Sequence, residues 1–229
     1  MKPYLLLLIT FTGFLSYSYT HSYLSDSAAS SGNTFTASAE FPPTTNHPVI
    51  SEIQINGATA LQDFIELYNP TSSSIPIAGW KLRKRISSGS EDSVAVIGTG
   101  KSIPAHGFFL WANSESGFST SIGADEATTQ NISENNSVAL LMPDDTLVDQ
   151  VAWGNGTDQF VEGTPIDNGS DQNKSMDRKA YSSSTITSMT TGGTHETKGN
   201  GFDSDNNSTD FILRPTSQPQ NSLSPTETP

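Results

Sequence analysis

The sequence predicts an all-β protein folded as a β-sandwich, on three observations. Its apolar residues come in short runs rather than long amphipathic stretches. Turn signals separate the runs. No segment keeps a 3.6-residue period for three turns without glycine, proline or a β-branched cluster. Seven or more short strands at this spacing are what a sandwich needs.

The runs follow in order. Val49 to Ile55 alternates, which places Val49, Ser51, Ile53 and Ile55 on one side and Ile50, Glu52 and Gln54 on the other. Asn56-Gly57 closes it. Asp63 to Tyr68 is stopped by Asn69-Pro70, which favours an extended residue and then a turn. In this run Phe64, Glu66 and Tyr68 share a face, and Glu66 needs a hydrogen-bond donor wherever that face is buried. Ile75 to Leu82, Ser93 to Ile97, Phe108 to Ala112, Ser137 to Met142 and Leu147 to Trp153 come next, with shorter runs at Ser175 to Arg178 and Asp210 to Leu213. Ala78-Gly79, His106-Gly107, Pro143-Asp144-Asp145 and Gly154-Asn155-Gly156 are the turns. Trp80, Trp111 and Trp153 each lie within or at the end of a run and are expected to pack in the core.

Composition narrows the function. The chain has 229 residues and a formal net charge of −13. That balance argues against a nucleic-acid partner. It has no cysteine, which excludes disulfides, thiolate metal sites and a cysteine nucleophile. Serine (34) and threonine (26) make up 60 of the 229 residues, and only 15% of residues are charged. Lys2 followed by the apolar run Tyr4 to Leu15 has the make-up of an export signal. Thr20-His21-Ser22 places small residues at −3 and −1, so cleavage is expected after Ser22, with an uncleaved membrane anchor as the alternative. The expected organisation is a signal peptide over 1–22, a Ser/Thr/Pro-rich segment over 23–46, a domain over 47–215 with long mobile loops in about 154–200, and a disordered tail over 216–229.

Two resemblances bear on this organisation. Tyr23-Leu24-Ser25-Asp26 and Asn33-Thr34-Phe35-Thr36-Ala37 resemble the mature N-terminus of exported camelysin and TasA-like biofilm-fibre proteins, with Leu24 and Ser38 departing from the pattern. Over about 47–222 the chain resembles the lamin tail domain family. The motifs are Ile50-Ser51-Glu52-Ile53, Asp63 to Pro70, Ile77 to Leu82, Ile103 to Gly107 and Val148 to Gly154, then Ser175-Met176-Asp177-Arg178 and the acidic loop Gly201 to Phe211. The resemblance implies an immunoglobulin-like sandwich of the bacterial secreted type, with a binding or structural role.

Candidate sites are few. Asp203, Asp205 and Asn207 offer oxygen side chains at alternate positions, and Asp210 adds a carboxylate, the donor set a calcium ion needs. Ser208 and Arg214 stand where a helix-loop-helix calcium motif requires Gly and Glu, so only a generic loop survives, and an acidic loop bonded to its own backbone is the alternative. No other cofactor is implied. On a strand, Lys81, Arg83 and Arg85 share one face, either a landing spot for an anionic partner or a solvated edge strand. Ala95 to Ser102 matches a loose phosphate-loop pattern, but Pro104 follows where a helix must start. None of His21, His47, His106 and His195 lies in a zinc-protease motif, and Gly117 to Ser121 lacks the last glycine of a nucleophile elbow. The expectation is therefore a secreted or cell-surface, non-enzymatic module with an extracellular or envelope ligand. A self-assembling matrix subunit, and further off a hydrolase with an acidic site, are the alternatives.

Overall fold

Strands β1 (Val49–Gln54) and β2 (Phe64–Tyr68) pair antiparallel, and every residue of both is buried. A strand buried throughout has cover on both faces, and the rest of the fold supplies it. The computed structural model describes residues 45–167 and 173–229; the expected signal peptide and nearly all of segment 23–46 lie outside them. The remaining strands are β3 (Ile75–Pro76), β4 (Lys81–Arg85), β5 (Glu91–Val96), β6 (Ser102–Ile103), β7 (Phe108–Asn113), β8 (Glu126–Thr128), β9 (Ser137–Leu141), β10 (Leu147–Ala152), β11 (Ser175–Arg178) and β12 (Phe211–Arg214). They form a six-stranded sheet in the order β12-β11-β1-β2-β7-β8, a four-stranded sheet β10-β9-β4-β5, and a small β3-β6 pair. All pairings are antiparallel except β7 with β8.

The main core lies between the two sheets. Ile50, Ile53, Ile65, Leu67, Phe109, Trp111 and Met176 come from one, and Leu82, Val94, Val138, Leu140 and Val151 from the other. Trp80, Trp111 and Trp153 are all buried there. The indole N–H of Trp111 donates to Thr128 Oγ1 at 3.1 Å and that of Trp153 to the Ser133 carbonyl at 2.9 Å, so neither polar tip is stranded. The strand alternation read from β1 is corrected in phase. A register shift between Ile50 and Glu52 turns Ile50, Ile53 and Ile55 into this core and leaves Val49 on the far side with Tyr68 and Phe108. A bulge adds one residue to one strand, so everything before it changes face. The run Ile75 to Leu82 is likewise broken into β3 and β4. Gly79 makes the corner with φ of 79°, and its N–H donates to the Ile97 carbonyl at 2.8 Å.

The far face of the six-stranded sheet is covered too. Phe64, Leu110 and Ala112 pack against Phe118, Ile122 and Ala124 around the helical turn Phe118–Ser121. Val49, Tyr68 and Phe108 form a second apolar cluster on this face, the rest of it is polar, and the C-terminal residues lie on it. Residues 216–229, expected to be disordered, instead make hydrogen bonds to Glu52, Glu66, Asp125 and Tyr68. The tail has little apolar content, and what orders it is acceptors on the sheet. In the described part of 154–200, irregular chain around β11 and the turn Ile186–Met189 still buries Ile166, Ala180, Tyr181 and Met189. Among the described residues no helix is long and apolar enough to cross a membrane.

Candidate functional site

The most concentrated chemistry is an acidic centre built on Arg178. Along β11, Met176 packs in the core, so period-two alternation turns Arg178 into the same space between the sheets, where it is fully buried. Its Nε donates to the Ile50 carbonyl at 2.8 Å. Nη2 forks onto Asp149 of β10, at 3.2 Å and 3.0 Å from the two carboxylate oxygens. Nη1 donates to the Phe202 carbonyl at 3.2 Å, lies 3.2 Å from Asp203 Oδ1 and 3.9 Å from Asp210 Oδ2. The guanidinium carbon sits 4.7 Å above the centre of the Phe211 ring. Asp149 in turn accepts the Ile50 N–H at 2.5 Å. One side chain thus ties β11, β1, β10 and the 202–210 loop together.

The electrostatics follow from burial. Desolvation raises the Asp149 carboxyl above its ordinary range, and Arg178 opposes that. Burial works against the charged guanidinium, but Asp149, Asp203, Asp210 and Glu162 outweigh it and hold Arg178 above its usual value. Glu162, reaching in from the loop after β10, is pushed up to about 8, first by burial and then by the charges of Asp149 and Asp203. Four carboxyl groups therefore surround one guanidinium.

The loop proposed to hold calcium divides. Asp203 and Asp210 come together with Glu162, one carboxylate oxygen of each lying within 4.8 Å of the others. Asp210 also accepts from Ser204 N–H at 3.0 Å, Ser204 Oγ at 2.5 Å and Asn206 N–H at 3.3 Å. Asn207 is corrected. It is buried and faces β10, accepting from the Ala152 N–H at 3.0 Å and the Glu162 N–H at 3.1 Å and donating to the Gln150 carbonyl at 3.0 Å. Asp205 is exposed and outside the three-carboxylate group. A turn of helix at Asn207–Asp210 breaks the alternation that an extended loop would have had. Glu162 carried no signal in the sequence, since it lies in a stretch of Gly, Thr and Asp.

Lys81, Arg83 and Arg85 do share the solvent-side face of their strand, but β4 lies inside its sheet, between β9 and β5, not at an edge. Each is paired. Lys81 Nζ lies 2.6 Å from Asp145, Arg83 Nε 3.0 Å from Glu91 Oε1, and Arg85 Nη2 3.4 Å from Glu91 Oε2, with Arg85 also stacked 4.1 Å from the Phe160 ring centre. Lys84, between them, points inward and donates to the Asn131 carbonyl at 2.6 Å.

A second polar array lies on the far face of the six-stranded sheet. Glu52, Glu66 and Asp177 are buried there with Arg214, whose Nη1 lies 2.7 Å from Asp177 Oδ2. Burial, above all, raises all three carboxyls, and for Glu66 the Glu52 charge adds to it. Glu66 meets the donor requirement read from the sequence: Ser51 Oγ at 2.6 Å and the Gln220 N–H at 2.6 Å. A cavity of about 340 Å³ opens beside the array, lined by His195, Asn200, Arg214, Gln218, Gln220 and Glu227 among others.

Residues 42–155 match the family model described as Lamin Tail Domain. Over these residues the chain is similar to a lamin tail domain. Its immunoglobulin-like sandwich agrees with the two facing sheets described above. The lamin tail match ends before β11 and β12, which complete the six-stranded sheet and carry Arg178 and Arg214. No curated protein matches the chain.

Proposed function

We propose that this chain is an exported, cell-surface or extracellular lamin tail module that binds or scaffolds and does not catalyse. The observation that carries the reading is how the buried ionisable side chains are used. Arg178 with Asp149, Arg214 with Asp177, and Glu52 and Glu66 are each engaged by neighbouring backbone or side-chain groups of the same fold. Groups used in this way fix loops and sheets relative to each other. Export is supported by Lys2 and the Tyr4 to Leu15 run, and the net charge of −13 disfavours a polyanionic partner such as nucleic acid. The bacterial secreted type and the biofilm-fibre-like N-terminus belong to the same proposal. The ligand is an extracellular or envelope component.

Calcium enters this reading in a narrower form. Glu162, Asp203 and Asp210 would hold it, adding positive charge where Arg178 faces the carboxyl groups of Asp149, Asp203, Asp210 and Glu162. The decisive experiment is expression of the full chain in an exporting bacterial host. Secreted protein beginning at Tyr23 is expected; protein retained inside the cell with its N-terminus intact would overturn the export reading. Sedimentation of the secreted form in millimolar calcium and in EDTA then separates the two roles. A monomer in both supports a binding module, and calcium-dependent polymer supports a matrix subunit.

A further inference from the structure

The C-terminal segment crosses the far face of the six-stranded sheet in step with the strands. Arg214 anchors its start, pairing with Asp177 on β11 and donating from Nη2 to Gln218 Oε1 at 2.6 Å. The Gln218 N–H then donates to Glu52 Oε1 on β1 at 3.1 Å, and the Gln220 N–H to Glu66 Oε2 on β2 at 2.6 Å. The Ser222 N–H donates to Asp125 Oδ2 at 2.9 Å, and that same oxygen accepts the Leu110 N–H of β7 at 2.9 Å. Alternate amides of one segment thus meet acceptors on β1, on β2 and, through Asp125, beside β7. Two extended residues advance about 6.5 Å and neighbouring strands lie about 4.8 Å apart, so an obliquely crossing peptide keeps this register. Pro219 falls where no N–H is needed. After a turn at Asn221 to Ser224 the chain comes back, with the Glu227 N–H on the His106 carbonyl at 2.8 Å and Tyr68 Oη on the Glu227 carbonyl at 2.5 Å.

The attachment is made mainly by main-chain groups of the segment and side chains of the sheet. Leu223, the segment's only large aliphatic side chain, is 91% exposed. The cavity beside Gln218 and Gln220 leaves part of the segment's inner side unpacked. The segment's hold on the sheet is a row of hydrogen bonds, with no large aliphatic side chain of its own buried beneath it. Elements held in this way open before the core does.

We propose that this carboxylate-lined face is a docking surface for an extended peptide, held in cis by residues 215–229 and exchanged in trans with residues 215–229 of a second copy of this chain. The second copy is the partner because it brings both halves of a fit already seen in one molecule. Exchange replaces each cis hydrogen bond with an identical one in trans, which is the low-cost route to association. The inference is independent of where the chain resides.

The chain has no cysteine, so single labels can be placed without background. Leu223→Cys carries a donor dye and Ser121→Cys, on a separate preparation of the full chain, an acceptor; both positions are exposed, and Asn221 bonds to Gly123 near the second. Energy transfer that grows after mixing, and is abolished by excess synthetic peptide 215–229, is the expected result. No transfer, or transfer that the peptide leaves unchanged, overturns the proposal. As a second measurement, full-length chain carrying Gln220→Pro, which loses the N–H donated to Glu66, should bind labelled peptide 215–229 at least about tenfold tighter than the wild-type chain, whose own segment competes at an effective concentration of about millimolar. Equal binding by the two folded chains would also overturn it.

Discussion

Replacing Arg178 with methionine tests the acidic centre most directly. Methionine keeps much of the aliphatic volume but removes every polar contact of the guanidinium: the Ile50 and Phe202 carbonyls, the fork to Asp149, and the approach to Asp203. Asp149, fully buried, would keep only the N–H groups of Ile50 and Gln150. Breaking a buried pair on one side costs about 3–5 kcal/mol. With a urea dependence of about 2 kcal/mol per molar, the unfolding midpoint should fall by about 2 M at neutral pH. Buried Trp111 and Trp153 provide the fluorescence signal. The loss should shrink at pH 5. Without its cation, the Asp149 carboxyl in the folded variant rises further above its unfolded value. Stability gained by binding that proton is present at low pH and lost as pH rises. A midpoint change below about 0.5 M at pH 7, no more than a single surface ion pair gives, would refute the view that Arg178 neutralises the centre.

Three further outcomes follow from the same structure. Asp63 is fully buried and burial pushes its carboxyl up to about 7, with the Ile132 N–H and Lys84 opposing, so the folded form holds a proton that the unfolded chain releases. That contribution is lost as pH rises from the unfolded value through 7, at up to about 1.4 kcal/mol per pH unit. The melting temperature of the wild type relative to Asp63→Asn should therefore fall by roughly 4–8 °C between pH 5 and 6.5; a pH-independent difference would sink the assignment. Calcium at ten times its dissociation constant should add about 1.4 kcal/mol of stability, and Glu162→Gln should remove most of that gain, as read by calorimetry with and without EDTA. Glu91→Gln frees Arg83 and Arg85 from their shared partner, so the variant should be retained longer than wild type on a polyanion resin at low salt, while its stability changes by less than about 1 kcal/mol.

The strands were legible because their apolar residues are local signals. Phe108 to Ala112 and Ser137 to Met142 are apolar runs bounded by turn residues, and both form central strands of the expected sheets. The β1 phase was not legible, because a bulge at Ser51 costs one residue of register and leaves no mark on composition. Of the loop read as a calcium candidate, Asp203 and Asp210 lie together in one carboxylate group. Asn207 was misassigned because alternation assumes an extended chain, and the helical turn at Asn207–Asp210 directs it to β10. The tail over 216–229 looked disordered for a similar reason: its stabilising groups belong to other parts of the chain.

By itself the sequence determined the all-β class, the strand-and-turn order, the core tryptophans and the chemistry that is missing, from cysteine to a nucleophile elbow. These depend on residue type and on neighbours a few positions away. Only the tertiary structure decided which charges meet. Asp149 reaches Arg178 across the sandwich, Glu52 reaches Gln218 from the opposite end of the domain, and Glu91 bridges Arg83 and Arg85 on the basic face of β4. Coulomb and hydrogen-bond energies depend on distance and on exclusion of water, and neither quantity exists until the sheets have closed on each other.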